Sequence, residues 1–246
     1  LPLLRHPLLR DGQRVALAQG IIAWFDANDD ASVGDLPALL LADGALPEPV
    51  RTALADRMIV RTGAARRLNW PLRYGSADLA VKTGLSWLAT HRGRHVDRVV
   101  RALAERPDLT AGQLAEVVAH AIDWFRGRDP GWPHMTALYS LCPRFGDLSD
   151  GQLGAVAGEA LRCLDAGVWH VGTGAVLAAL LGEDRLGGPV LSRVRAHADA
   201  WLADRPDDPH AEALRAAVAG YDRRGGRAAG AADTAGRASG RAGCGG

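Results

Sequence analysis

The feature that most constrains this chain is an interval that keeps returning. Leu109 stands fifteen residues before Trp124, and the same interval separates Leu9 from Trp24, Leu72 from Trp87, Leu148 from Cys163 and Leu186 from Trp201. The return distances are alike too: 22 residues from Trp24 to Leu46 and from Trp87 to Leu109, 23 from Cys163 to Leu186, 24 from Trp124 to Leu148. The period is therefore 37–39 residues. A unit that short cannot bury its own apolar face, but a stack of such units can, so the period points to a repeat architecture.

Each interval opens with helix-starting chemistry. Thr110-Ala-Gly-Gln113 and Ser149-Asp-Gly-Gln152 fit the capping box, in which a hydroxyl accepts from a first-turn amide and the Gln returns to the cap's own N–H. Arg10-Asp-Gly-Gln13 keeps the last two positions. Pro49 and Pro189 suit a first turn, where a missing N–H costs nothing. Apolar residues follow at helical spacing: Leu114, Val117, Val118, Ala121, Ile122 and Phe125 in one unit, Leu153, Val156, Ala160 and Leu161 in another. A loop rich in Gly, Pro and Asp comes next, then a shorter amphipathic segment whose stripe is shown by Val96, Val99, Val100 and Leu103. No run alternates like a half-buried strand. The expected class is all-α: an α-solenoid of stacked helical hairpins.

Three regions depart from the pattern. Residues 1–9 read as the end of a second helix and its turn, so residues 1–221 form a solenoid that starts mid-repeat, and more repeats or another domain are expected upstream. Between Arg61 and Leu72 only eleven residues remain for "TGAARRLNWPL", which predicts a degenerate unit with a short or absent second helix and a local kink. Residues 222–246 are almost wholly Gly, Ala and Arg without apolar periodicity, and read as a disordered tail.

Composition narrows the function classes. A net charge of +1 lacks the domain-wide basic footprint of a dedicated nucleic-acid binder. Three cysteines, Cys142, Cys163 and Cys244, have no metal-binding spacing and read as reduced thiols in a cytoplasmic setting. The most apolar stretch, "VLAALL", is far short of the roughly 20 residues that span a membrane. No signal peptide is evident, so no membrane partner is expected.

His95, His134, His170 and His210 recur once per unit near the start of the second helix. Packed helices lie about 8–10 Å apart, whereas two histidines sharing a zinc at roughly 2.0–2.1 Å must approach much closer. No metal or cofactor is expected from this column. His120 and His197, four residues before an anchor Trp, read as partly buried packing residues. The tryptophans at 24, 87, 124 and 201 read as core between repeats, with Cys163 in the same slot. Trp132 and Trp169 fall instead in the inter-helix loop, beside His134 and His170. These four are the candidate partner-binding residues, since Trp and Arg are enriched at binding hot spots. No nucleophile–base pair or phosphate loop stands out; Gly172-Thr-Gly174 lacks a following Lys, and no catalytic role is expected.

The period and the motif "RPDLTAGQLAEVVAHAIDWF" resemble HEAT-like and tetratricopeptide-like helical repeats, in particular tandem arrays in large bacterial proteins of the STAND type. The tetratricopeptide signature W-x2-L-G-x2-Y is absent and the period exceeds 34, so HEAT-like is the nearer name. The resemblance implies a protein- or peptide-binding scaffold or sensor within a larger protein. The alternative is a nucleic-acid-binding HEAT-like array, suggested by "RTGAARR", "HRGRHVDRVVR" and the Arg/Gly tail.

Overall fold

A computed structural model describes residues 10–28, 36–42, 45–61, 65–91, 93 and 95–225. All regular structure among them is helical. The chain divides into two compact units at Leu148–Ser149. The expected beginning of the array at 1–9 and most of the expected tail, 226–246, lie outside the described residues.

The first unit holds α1 (Asp11–Ala27), α2 (Leu36–Ala42), α3 (Glu48–Arg61), α4 (Ala65–Tyr74), α5 (Ala77–Thr90), α6 (Val96–Ala104), α7 (Ala111–Arg126) and α8 (Trp132–Leu141), closed by a 3-10 segment, Cys142–Asp147. Contacts run in two rows. α1 packs on α3, α3 on α5 and α5 on α7; α2 packs on α4, α4 on α6 and α6 on α8. The second unit holds α9 (Asp150–Asp165), α10 (Thr173–Gly182), α11 (Gly188–Asp204) and a last helix, α12, over 211–225. There α11 packs on both α9 and α10. The Arg224 guanidinium of α12 donates to the Leu181 carbonyl of α10 at 2.6 Å.

The helix starts follow the caps. Thr110 Oγ1 accepts from the Gln113 amide at 3.2 Å, while Gln113 Oε1 accepts from the Thr110 amide at 3.0 Å. Ser149 and Gln152 repeat the exchange at 3.4 and 3.0 Å. At α1 the box is one-sided: Gln13 Oε1 accepts from the Arg10 amide at 3.0 Å, but an arginine side chain has no acceptor to return. The apolar faces predicted for α6, α7 and α9 are buried.

The anchor slot is equally regular. Trp24, Trp124, Cys163 and Trp201 each stand thirteen residues after the first residue of their helix, Asp11, Ala111, Asp150 and Gly188. Trp87, Trp124, Cys163 and Trp201 are buried, and Trp24 packs half-buried on the core of α1–α3. Trp124 also reaches the preceding hairpin: its indole N–H donates to the Gly93 carbonyl at 3.1 Å.

The degenerate unit is a correction. α4 is a ten-residue helix, as long as α8 and α10. The helix is thus neither short nor absent, and only Gly75 and Ser76 separate it from α5. Leu72, taken from the interval as the start of the next unit, lies in the last turn of α4, and α5 begins after Ser76, one turn later than the interval implies. Gly75 makes that tight passage possible: a Cβ there would meet Ile59 Cδ1 at 2.7 Å and the Pro71 carbonyl at 2.8 Å.

Arg106, buried in the α6–α7 turn, satisfies the exposed end of α4. Its Nη1 donates to the carbonyls of Leu72 at 2.7 Å and Gly75 at 2.9 Å. Its Nε and Nη2 grip Asp108 at 2.8 and 2.6 Å. The next turn repeats the reach, with Arg144 Nη1 donating to the Arg106 carbonyl at 2.8 Å and Nε pairing with Asp147 at 2.6 Å.

In the second unit, Arg195 of α11 binds Asp199 and, at 3.2 Å, Asp222 of α12. Hydrogen bonds to Asp222 and then Asp199 hold its pKa above the usual arginine range. Trp201 packs edge-on over Gly174 of α10, where a Cβ would lie 2.6 Å from the ring.

Two measurements check these contacts. Arg106→Met strips the α4 carbonyls of a buried donor, which costs about 1–3 kcal/mol, read as a lower urea midpoint, while the exposed Asp108 adds little. Gly174→Ala costs about 1–3 kcal/mol by overpacking against Trp201. Gly158→Ala, on the open face of α9 with nothing within 4 Å, adds about 0.5–1 kcal/mol, so the two glycines shift thermal stability in opposite directions.

Candidate functional site

The four candidate residues fall in the two units as two pairs. Trp132 is the first residue of α8 and not a loop residue, because Pro133 behind Gly131 starts the helix there. Its side chain is 63% exposed. Seven residues on, Tyr139 is 38% exposed, with half-buried Thr136 between them, so the three form one stripe on the outer face of a helix without acidic or basic residues other than His134.

His134 points the other way. The early start of α8 turns it to the inner face, 3% exposed, with its ring 4.8 Å from that of Trp124 and 5.2 Å from that of Phe125. It is a core residue and not part of an accessible rim. In the second unit, Trp169 is half-buried with the Arg205 guanidinium 5.7 Å over its ring. His170 closes the turn into α10: its amide donates to Thr173 Oγ1 at 2.8 Å, and its Nδ1 accepts from the Gly172 amide at 3.0 Å.

The rest of the histidine column is dispersed in role. His95 caps α6 with φ of 77°, a left-handed conformation that favours glycine, and His210 immediately precedes α12. His120 and His197 are half-buried, and His197 Nε2 lies 2.9 Å from Asp165. Among the described residues, no group of three or more His, Cys, Asp or Glu is arranged to hold a metal ion.

A second site was not read from the sequence. A cavity of about 420 Å³ opens where α3 begins, where α4 meets α5 and where α6 meets α7. Trp70 and Tyr74 of α4 stack with rings 5.9 Å apart and 6° from parallel. Arg51 lies 4.7 Å and Arg73 5.5 Å from the Tyr74 ring centre, both in cation–π geometry. Arg73 and Arg101 both reach Glu105, at 2.9 and 2.8 Å. Arg106 forms the buried boundary. The sequence signal was the cluster of Trp70, Arg73 and Tyr74 in α4, obscured because that helix was expected to be short or missing.

The expected basic patch is only partly described: Arg98 is exposed and Arg101 is paired with Glu105, whereas the side chains of 61–69 and residues 92 and 94 lie outside the described set. Burial raises the pKa of Asp97, in the first turn of α6, against the lowering effect of the Arg98 amide and of the charges on Arg98 and His95. No helix among the described residues is long and apolar enough to cross a membrane. No family model, characterised protein or solved structure matches this chain.

Burial pushes the Cys142 thiol from the usual 9.0 up to about 12. At pH 8 its thiolate fraction is then about a thousandfold below that of an ordinary cysteine, because each pKa unit is a factor of ten. Cys142 will resist iodoacetamide at pH 8 in the folded protein and react in urea, read by mass spectrometry of its peptide. The raised folded-state value also means that this group's stabilising contribution is complete below pH 9 and is lost as the pH climbs toward 12.

Proposed function

We propose that the chain is an α-solenoid interaction module, HEAT-like in its repeat, that binds a protein or peptide and carries no catalysis of its own. The observation that supports this reading is the two-row succession in the first unit, odd helices on odd and even on even, which is the contact pattern expected of stacked hairpins. Repeat arrays use the surface of such a stack for recognition, and the even row ends in the exposed Trp132–Tyr139 stripe. Trp and Tyr are enriched at binding hot spots, and Trp132 is accessible enough to serve as one. In this reading the protein is bacterial and cytoplasmic, with the protein contact on the even row.

The test is a partner-binding comparison between the wild type and Trp132→Ala. The exposed position predicts unchanged helicity and a change of under about 0.5 kcal/mol in stability, together with a loss of about 2 kcal/mol or more in binding. Wild-type binding to the same partner by Trp132→Ala removes the stripe from the interface. Binding to RNA or DNA that falls steeply with salt, in place of a protein partner, establishes the nucleic-acid alternative.

A further inference from the structure

The cavity at the α3, α4–α5 and α6–α7 junctions has an uneven charge account. Asp108 is held by two bonds from Arg106. Glu105 is held by both Arg73 and Arg101. The α4 carbonyls that open toward the cavity are taken by Arg106 as well. Glu48 stands at the exposed rim, in the first turn of α3, where the helix N-terminus favours a carboxylate. Arg51 is different. Among the described residues its guanidinium has the Tyr74 ring beneath it and no carboxylate.

A guanidinium over an aromatic face can still offer its N–H donors to an acceptor, and that fork matches a carboxylate. The Tyr74 face is already covered by two guanidinium groups and Trp70 stacks parallel to it, which disfavours a stacking nucleobase. Thr52 and Ser76 add hydroxyls to the lining, and the Ser76 side chain makes no capping bond to α5. The volume falls within the range of pockets that take small ligands or a few peptide atoms.

We propose that this cavity is a carboxylate-recognition pocket for an acidic peptide segment, with Arg51 as the residue that binds the carboxylate and Tyr74 as the residue that positions Arg51. The proposal rests on the reading of the chain as a protein-binding module, and supplies the chemistry of the partner: Asp- or Glu-bearing, or ending in a free C-terminus.

The experiment is fluorescence anisotropy on the full chain with labelled hexapeptides: Asp/Glu–Gly with a free C-terminus, the same with an amidated C-terminus, and amidated Lys–Gly, which carries no carboxylate. Wild type binds the acidic peptides over the basic one, and Arg51→Met weakens that binding about tenfold or more, the size of a lost charge-assisted bond. Ala77→Glu is the second variant. A glutamate at the start of α5 favours the helix yet places a negative charge on the cavity wall, so it too weakens acidic-peptide binding while the protein stays folded.

Equal affinity of the amidated and free acidic peptides assigns the bound group to a side chain, and dependence on the free terminus assigns it to the chain end; both support the pocket. Absence of acidic-peptide binding at millimolar concentration, wild-type affinity in both variants, preference for the Lys peptide, or displacement by an RNA oligonucleotide in preference to acidic peptide overturns it. If the pocket fails while a partner still binds through Trp132, the interaction-module reading survives; if neither binds, both fail.

Discussion

Every helix ends with carbonyls that have no partner inside the helix, and a stack of short hairpins multiplies such ends. In the first unit that problem is met by an arginine from the following turn. Arg106 takes the open carbonyls of α4, and its own carbonyl is taken in turn by Arg144. The arrangement does two things at once. It neutralises the negative end of a helix with a cation, and it fixes the distance between one hairpin's exit and the next hairpin's entry. Asp108 and Asp147 hold the two guanidinium groups at the angle that makes the reach possible. The buried tryptophan slot needs that fixed spacing: Trp124 meets Gly93 of the preceding loop only because the hairpins are held in register.

The all-helical class and most first helices were legible because they rest on local chemistry. Capping boxes, first-turn prolines and apolar stripes act over a few residues, and Thr110, Ser149 and the Leu114–Phe125 face behave as their neighbours dictate. The error at α4 has a physical source as well. An interval between two apolar residues does not distinguish a leucine that precedes a cap from one that closes a helix. Leu72 is the second kind, and only the close contacts of Gly75 reveal the turn that follows it.

The candidate site was less legible, for the same reason. His134 and Trp132 are two residues apart, and which of them faces water depends on where α8 starts. That start is set by Gly131 and Pro133, so the register was present in the sequence but was assigned to the loop. The Arg51–Tyr74 cavity could not be read at all from spacing, because it joins three junctions separated by more than fifty residues. The same is true of Arg106, which in sequence is one more charged residue beside a proline and in the structure is buried.

The turn-borne arginines also make the two edges of the first unit unequal. Along the edge where each second helix hands over to the next first helix, Arg106 and Arg144 bond directly to the backbone of the turn or helix end before them. Along the opposite edge, the ties between hairpins include the indole bond from Trp124 to Gly93 and the ion pair of Arg57 with Asp26, whose side chains are about half exposed. Added salt will therefore loosen the Arg57–Asp26 tie, an exposed pair of charges, more than the bonds that Arg106 and Arg144 donate to neutral carbonyls on the other edge.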